Sequence, residues 1–148
     1  MKSAFIMHIY RTQINLHDTD AAGLLFFSNQ FKLIHDAYEA LLEKIGFGFG
    51  ELLRNQPFFL PIVHAQSDYK APLFVGDWIT IHVRVASLGT TSFTFAYEIF
   101  KDDGTLVGTA RTVHVTIAKD TQQKIPLPEL MKARIAELYA ADNAASTD

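Results

Sequence analysis

From Asn29 to Ile45, apolar side chains fall at Phe31, Ile34, Tyr38, Leu41 and Ile45, with Ala37 and Leu42 widening the stripe. That is the spacing of one face of an α-helix. The opposite face carries Lys32, Asp36, Glu43 and Lys44, and the glycines of the run GFGFG, residues 46–50, supply the stop. Leu33 falls outside the stripe, so this helix is expected to be covered on more than one side. After it the period drops from 3.6 to two. Leu60 to Pro72 has an extended composition between two prolines. Trp78 to Val85 alternates, with Ile79, Ile81, Val83 and Val85 on one face, and Ser92 to Phe100 repeats the pattern with Phe93, Phe95, Tyr97 and Ile99. The linkers LGTT and KDDGT are hairpin-sized and lead through a third strand, Leu106 to Ile117, predicting a three-stranded antiparallel meander. Upstream, Phe5 to Leu16 fits a first strand. Downstream, Pro126 to Ala140 predicts a short amphipathic helix starting near Pro128, with Leu130, Ile135 and Leu138 inward.

These elements predict one α+β domain over residues 1–141, an antiparallel sheet of about five strands wrapped around one long central helix with a short helix behind it. Residues 142–148 are expected to form a disordered tail. The sheet's outer face carries Trp78, and pairing with a second copy of the chain would cover such a face and its edges.

Composition narrows the chemistry. In 148 residues, 49% are hydrophobic and 20% charged, which suits a single ordered core, and the net charge of -3 lacks the basic footprint of a nucleic-acid or membrane-surface binder. The absence of cysteine excludes disulfides, thiolate metal sites and a cysteine nucleophile. The N-terminal apolar residues are interrupted by His8, Tyr10, Arg11 and Gln13, unlike a signal peptide, and no apolar run is long enough to span a bilayer. A cytoplasmic location is the expectation.

The run HDTDAAG, His17 to Gly23, sets Asp18 and Asp20 just ahead of the apolar LLFF and of the long helix. Two readings stand side by side. Either carboxylate can satisfy loop N–H groups and do no more. Alternatively, one is a catalyst beside a helix N-terminus, whose free N–H groups would polarise a carbonyl oxygen near Phe27 as an oxyanion hole does. A thioester suits that arrangement, because thiolate leaves without much help from a general acid.

The segment DTDAAGLLFFSNQFKLIHDAYEALL resembles the opening of hotdog-fold acyl-CoA thioesterases of the 4-hydroxybenzoyl-CoA thioesterase type, with their D-x-D-x-x-G run, aromatic residues and central helix. The likeness extends through LPIVHAQSDYKAPLFVGD and covers nearly the whole chain. Its D-T-D-x-A-G and L-P-x-V-H-A runs are most similar to those of the 1,4-dihydroxy-2-naphthoyl-CoA hydrolases of quinone synthesis. The resemblance implies a hotdog fold, Asp20 as the catalytic carboxylate, the backbone N–H of Phe27 as the oxyanion donor, and Asp18 with Gly23 as supports of the loop. It also implies a CoA thioester substrate without a cofactor, and a homodimer that assembles into a homotetramer. This chain departs from relatives that carry proline at Ala21, or tyrosine or histidine near Phe27 and Ser28. Those differences loosen the transfer of substrate detail, so 4-hydroxybenzoyl-CoA and short or medium-chain acyl-CoA stand as alternatives to dihydroxynaphthoyl-CoA.

Other groups have a plain reading beside a functional one. Glu39, His35 and His64 are substrate-binding candidates, or else a solvated glutamate and hydrogen-bonded histidines. Lys70, Arg84 and Arg111 are candidates for the CoA phosphates, or else surface charges. Phe58, Phe59, Phe93 and Phe95 suit an aryl pocket or a core. No H-x-H, H-E-x-x-H or G-x-S-x-G spacing occurs, so neither a metal site nor a serine nucleophile is expected. Two further functions remain open from sequence: a noncatalytic acyl-CoA or acyl-carrier binding protein, and a dehydratase using His35 and Asp36.

Overall fold

The computed structural model describes residues 8–146. In chain order the elements are β1 (His8–Gln13), a single 3-10 turn at Leu16–Asp18, α1 (Asn29–Lys44), α2 (Phe49–Asn55), β2 (Phe58–Phe59), β3 (Ile62–Tyr69), β4 (Trp78–Leu88), β5 (Ser92–Lys101), β6 (Leu106–Ala118), β7 (Lys124–Ile125) and α3 (Glu129–Ser146). The sheet is antiparallel throughout. Its long strands run β1-β4-β5-β6, with β3 on the far side of β6 and the two-residue strands β2 and β7 also on β6. The meander is as expected from its turns, and one register line, His82 to Glu98 to Thr109 to Asp68, crosses β4, β5, β6 and β3.

Alternation decides which face of the sheet holds α1. Ile79, Ile81, Val83 and Val85 of β4 and Phe93, Phe95, Tyr97 and Ile99 of β5 are all buried, together with Leu33, Ile34, Ala37, Tyr38, Leu41 and Leu42 of α1. Each fully buried Leu, Ile or Phe contributes about 1.5–3 kcal/mol of transfer free energy. Leu33 is among them, as its position off the main stripe implied. On the outer face Trp78 stays partly exposed, with the Arg11 guanidinium 4.5 Å from its ring centre and bonded to Asp102 at 2.6 Å.

Four features differ from the sequence reading. The helix α2 was not expected, since Gly46 and Gly48 precede it, Gly50 lies within it, and seven residues are too few to establish a period. The C-terminal helix is the longest in the chain and runs through most of the segment read as a tail, where Asp142 accepts a 2.8 Å bond from Val85 N–H. Its inward residues are Met131 and Ile135, while Leu130 is 56% exposed. The first strand is shorter than expected: it ends at Gln13, and Phe5 to Met7 lie outside the described residues. The helix α3 also closes the end of α1, where Arg134 donates to the Ile45 carbonyl beside Gly46, whose φ is +93°. No helix among the described residues is long and apolar enough to cross a membrane.

Candidate active site

The loop between β1 and α1 treats its two aspartates in opposite ways. Asp18 is 1% exposed: Oδ2 accepts the Asn15 N–H at 2.9 Å and Oδ1 lies 3.4 Å from Lys32 Nζ. Its backbone carbonyl accepts the Phe26 N–H at 3.1 Å and Asn29 Nδ2 at 2.8 Å, which ties the loop to the first residue of α1. Asp20 is exposed. Its Oδ1 accepts the N–H groups of Ala22 at 2.8 Å and Leu24 at 3.2 Å. The turn is closed by Asp20 N–H to Leu24 O at 2.8 Å and by Gly23, whose φ of +76° favours glycine. One carboxylate oxygen is therefore fixed by the loop. The other has no partner, and no cation pairs with Asp20, among the described residues.

The start of α1 supplies the donors. The N–H groups of Phe27 and Ser28 reach no acceptor among the described residues, and the first turn of the helix contains no acidic side chain and no side-chain cap. These two N–H groups, on the positive side of the helix dipole, are therefore open to an outside acceptor. Sequence reasoning missed Tyr69, at the end of β3, whose phenol donates to the Phe27 carbonyl at 2.5 Å. It also missed Gln30, 1% exposed, whose amide donates to Ser67 Oγ at 2.6 Å and to the Asp68 carbonyl at 3.1 Å. The signal available for Gln30 was its position, four residues before Ile34 on the apolar stripe of the helix. For Tyr69 there was none. A cleft of about 400 Å³, lined by Leu24, Leu25, Phe27, Gln30, Tyr69 and Lys70 among others, opens beside these groups.

The open amides of Phe27 and Ser28 beside this cleft can polarise a carbonyl oxygen placed there, and Asp20, bonded to the N–H of the cleft residue Leu24, is the exposed carboxylate of the same loop. Comparison with known proteins decides the family, for the pattern of the thioesterase-like superfamily matches residues 14–135. The chain belongs to this superfamily. A 1,4-dihydroxy-2-naphthoyl-CoA hydrolase from Rippkaea orientalis is 38% identical over 125 residues, covering 83% of this chain and 91% of that one. One from Gloeothece citriformis is 34% identical over 139 residues, covering 93% and 97%. The crystal structure of a 1,4-dihydroxy-2-naphthoyl-CoA thioesterase from Synechocystis superposes with a TM-score of 0.84 at 31% identity, covering 90% of this chain and 98% of that one.

Within this thioesterase-like domain, the remaining candidates separate by face. Lys70 lines the cleft beside Phe27. Arg84 and Arg111 do not join it: they share a depression on the outer face of the sheet with Gln66, Asp68 and Glu98, because alternation on β4 and β6 turns them away from α1. His64 is on that outer face too, 3.1 Å from Gln66 Oε1, whereas its neighbour Ala65 lines the inner side. His35 and Glu39 are brought together, one helical turn apart, as an exposed pair at 2.9 Å. They border an open cavity of about 490 Å³ with Tyr38, Phe49, Phe59 and Ile62. His35 also borders a smaller cavity of about 230 Å³, walled by Phe31, Ile34, Tyr38, Ile62 and Ala65 and reaching Tyr97 and Thr112. Of the aromatic candidates, Phe58, Phe93 and Phe95 are core residues and Phe59 borders the larger cavity.

Beneath α1 lies a buried polar chain in which Thr112 Oγ1 is 2.7 Å from both the Tyr97 hydroxyl and His114 Nε2. Burial, reinforced by the charge of His35, lowers the pKa of His114 to about 3, and burial raises those of Tyr97 and Tyr38. All three are neutral at pH 7, so this layer adds no charge behind the cavity. Among the described residues no group of three or more His, Asp or Glu side chains is placed to hold a metal ion.

Proposed function

We propose that this protein hydrolyses aryl-CoA thioesters, with 1,4-dihydroxy-2-naphthoyl-CoA as its preferred substrate. The observation that carries the reading is Asp20: one oxygen anchored by loop amides, the other unpaired, in the loop that leads into the open N–H groups of Phe27 and Ser28. The names of the curated relatives support the naphthoyl group, and the cavities along α1, walled mainly by apolar and aromatic side chains, support a flat apolar acyl moiety.

The thioester oxygen accepts hydrogen bonds from the Phe27 and Ser28 amides, which stabilise the negative charge that grows on it. The free oxygen of Asp20 then serves in one of two ways. As a nucleophile it bonds to the carbonyl carbon and the C–S bond breaks. CoA thiolate leaves and takes a proton from solvent, and water hydrolyses the mixed anhydride. As a general base it removes a proton from a water that attacks the same carbon, and returns that proton to the departing sulfur. Lys70, at the cleft, is the side chain best situated for a CoA phosphate. No step requires a cofactor. Two copies joined along the free edge of β3 complete the reading, with pairs of dimers forming a tetramer; that edge strand pairs only with β6 among the described residues.

Release of free thiol from a panel of CoA esters tests this directly. Dihydroxynaphthoyl-CoA is expected to give the highest kcat/KM, ahead of 4-hydroxybenzoyl-CoA and of aliphatic esters. Asp20→Asn preserves the acceptor for both loop amides, so it is expected to fold normally while kcat falls by at least about 100-fold. Saturable ester binding with no thiol release by the wild-type protein would favour a binding role instead.

A further inference from the structure

The two open amides at the start of α1 are each held by the carbonyl of their own peptide unit. A trans peptide is planar, so fixing its C=O fixes the direction of its N–H. For Phe27 N–H the anchor is the Phe26 carbonyl, which accepts the Asn29 N–H at 2.9 Å. For Ser28 N–H the anchor is the Phe27 carbonyl. There the helix itself provides only a long contact from Gln30 N–H at 3.4 Å, while the Tyr69 phenol donates at 2.5 Å. The short bond therefore comes from β3 and not from the helix. Donation to a carbonyl oxygen also polarises the amide and strengthens its N–H as a donor.

We propose that Tyr69 is a positioning residue of the thioesterase site, setting the orientation and donor strength of the Ser28 N–H, which acts with Phe27 N–H as the second oxyanion donor. This rests on the thioester-hydrolase reading above. Tyr69 makes its bond from an exposed position, 48% accessible, and lines the same cleft as Phe27, so it does not serve the core. The adjacent anchor from Gln30 to Ser67 and the Asp68 carbonyl holds the helix turn against the same end of β3, leaving Tyr69 to act on the peptide alone.

The full-length protein carrying Tyr69→Phe is the test, assayed by thiol release with dihydroxynaphthoyl-CoA beside Asp20→Asn. The expected result is a kcat reduced about 10- to 100-fold, in the range seen when an oxyanion donor is weakened, with KM changed less than about threefold. A graded series follows, with fluorinated tyrosines inserted at position 69. As the phenol becomes more acidic its hydrogen bond strengthens, so kcat is expected to rise along the series over the pH range in which the phenol stays protonated. A role limited to packing leaves that series flat. An unchanged kcat in Tyr69→Phe, a loss confined to KM, or a flat fluorotyrosine series overturns the proposal while a dead Asp20→Asn leaves the thioesterase site standing. Full activity in Asp20→Asn removes the site reading, and the role of Tyr69 falls with it.

Discussion

Asp18 and Asp20 are the same residue type two positions apart, yet the first is buried and bonded on both oxygens while the second is exposed with one oxygen free. Burying the Asp18 carboxylate requires that it be satisfied, and the Asn15 N–H and Lys32 do so. Asp18→Ala is expected to cost about 1–2 kcal/mol, read as a drop of several degrees in Tm, whereas Asp20→Asn is expected to leave Tm nearly unchanged and to remove activity. A thermal melt beside a thiol-release assay checks both halves of that contrast. Spacing alone could not assign the roles, because each aspartate has a loop reading. The resemblance of the D-x-D-x-x-G run singled out Asp20, and only coordinates distinguish an anchored oxygen from an unpaired one. His114 was equally hidden, being one of six histidines with no motif around it. Its folded pKa of about 3 lies below the unfolded value of 6.5, so the unfolded chain binds the extra proton between those limits. The stability due to neutral His114 is complete above pH 6.5 and is lost as pH falls toward 3, amounting to about 2 kcal/mol lost by pH 5. Denaturant unfolding at pH 7 and pH 5 is expected to reveal this loss in the wild type and its absence in His114→Phe. Equal losses in both proteins would show that other groups dominate.

At the scale of elements, α1 and β4 to β6 were legible because long segments repeat their period often enough to identify it. The helix α2 and strands β2 and β7 were not, having seven, two and two residues. In α3 the apolar positions Leu130 and Met131 are adjacent, and rotation by one residue moves the buried face from one to the other. Docking of α3 against β4 and the end of α1 makes that choice, which the helix's own sequence does not contain. Docking of α1 on β3 is controlled at Gly108. A Cβ there would lie 2.6 Å from Gln30 Nε2, 2.9 Å from Gln30 Oε1 and 3.0 Å from the Asp68 carbonyl oxygen. Because the Gln30 side chain is buried and bonded on the same side, it cannot yield without releasing the first turn of α1. Gly108→Ala is expected to destabilise the fold by about 1–3 kcal/mol and to depress kcat. Adding Gln30→Ala to it is expected to recover part of the stability, since the Asp68 carbonyl contact at 3.0 Å remains, but not kcat, since the anchor is then missing. Recovery of both in the double variant would separate this anchor from the site.

Among the described residues the long strands leave two edges, β1, which pairs only with β4, and β3, which pairs only with β6, and both the proposed acyl cavities and the cleft lie along β3. Seven of the eight residues of β3 pair with β6 and none pairs on the other side, and Val63, at the bulge, and Tyr69 are exposed. Next to its start, Leu53 and Phe59 leave the 490 Å³ cavity partly open; next to its end, Phe27 is 65% exposed at the cleft. Exposed apolar groups at both ends of an edge strand mark a surface that gains from being covered, and a second β3 antiparallel to the first would extend the sheet across it. Periodicity could identify the strand but not its place at the edge, which depends on the order of the others. Light scattering is expected to give a dimer or tetramer for the wild type. Val63→Lys places a charge at a bulged, exposed position where the fold of one copy does not depend on it, so it is expected to shift the population toward monomer with little change in the circular dichroism spectrum. If the neighbouring copy closes the cavities, kcat/KM should fall in step with the dimer fraction and recover as protein concentration is raised. A wild-type protein that is monomeric and fully active at assay concentration would show instead that one copy holds a complete site and that this edge has no part in the chemistry.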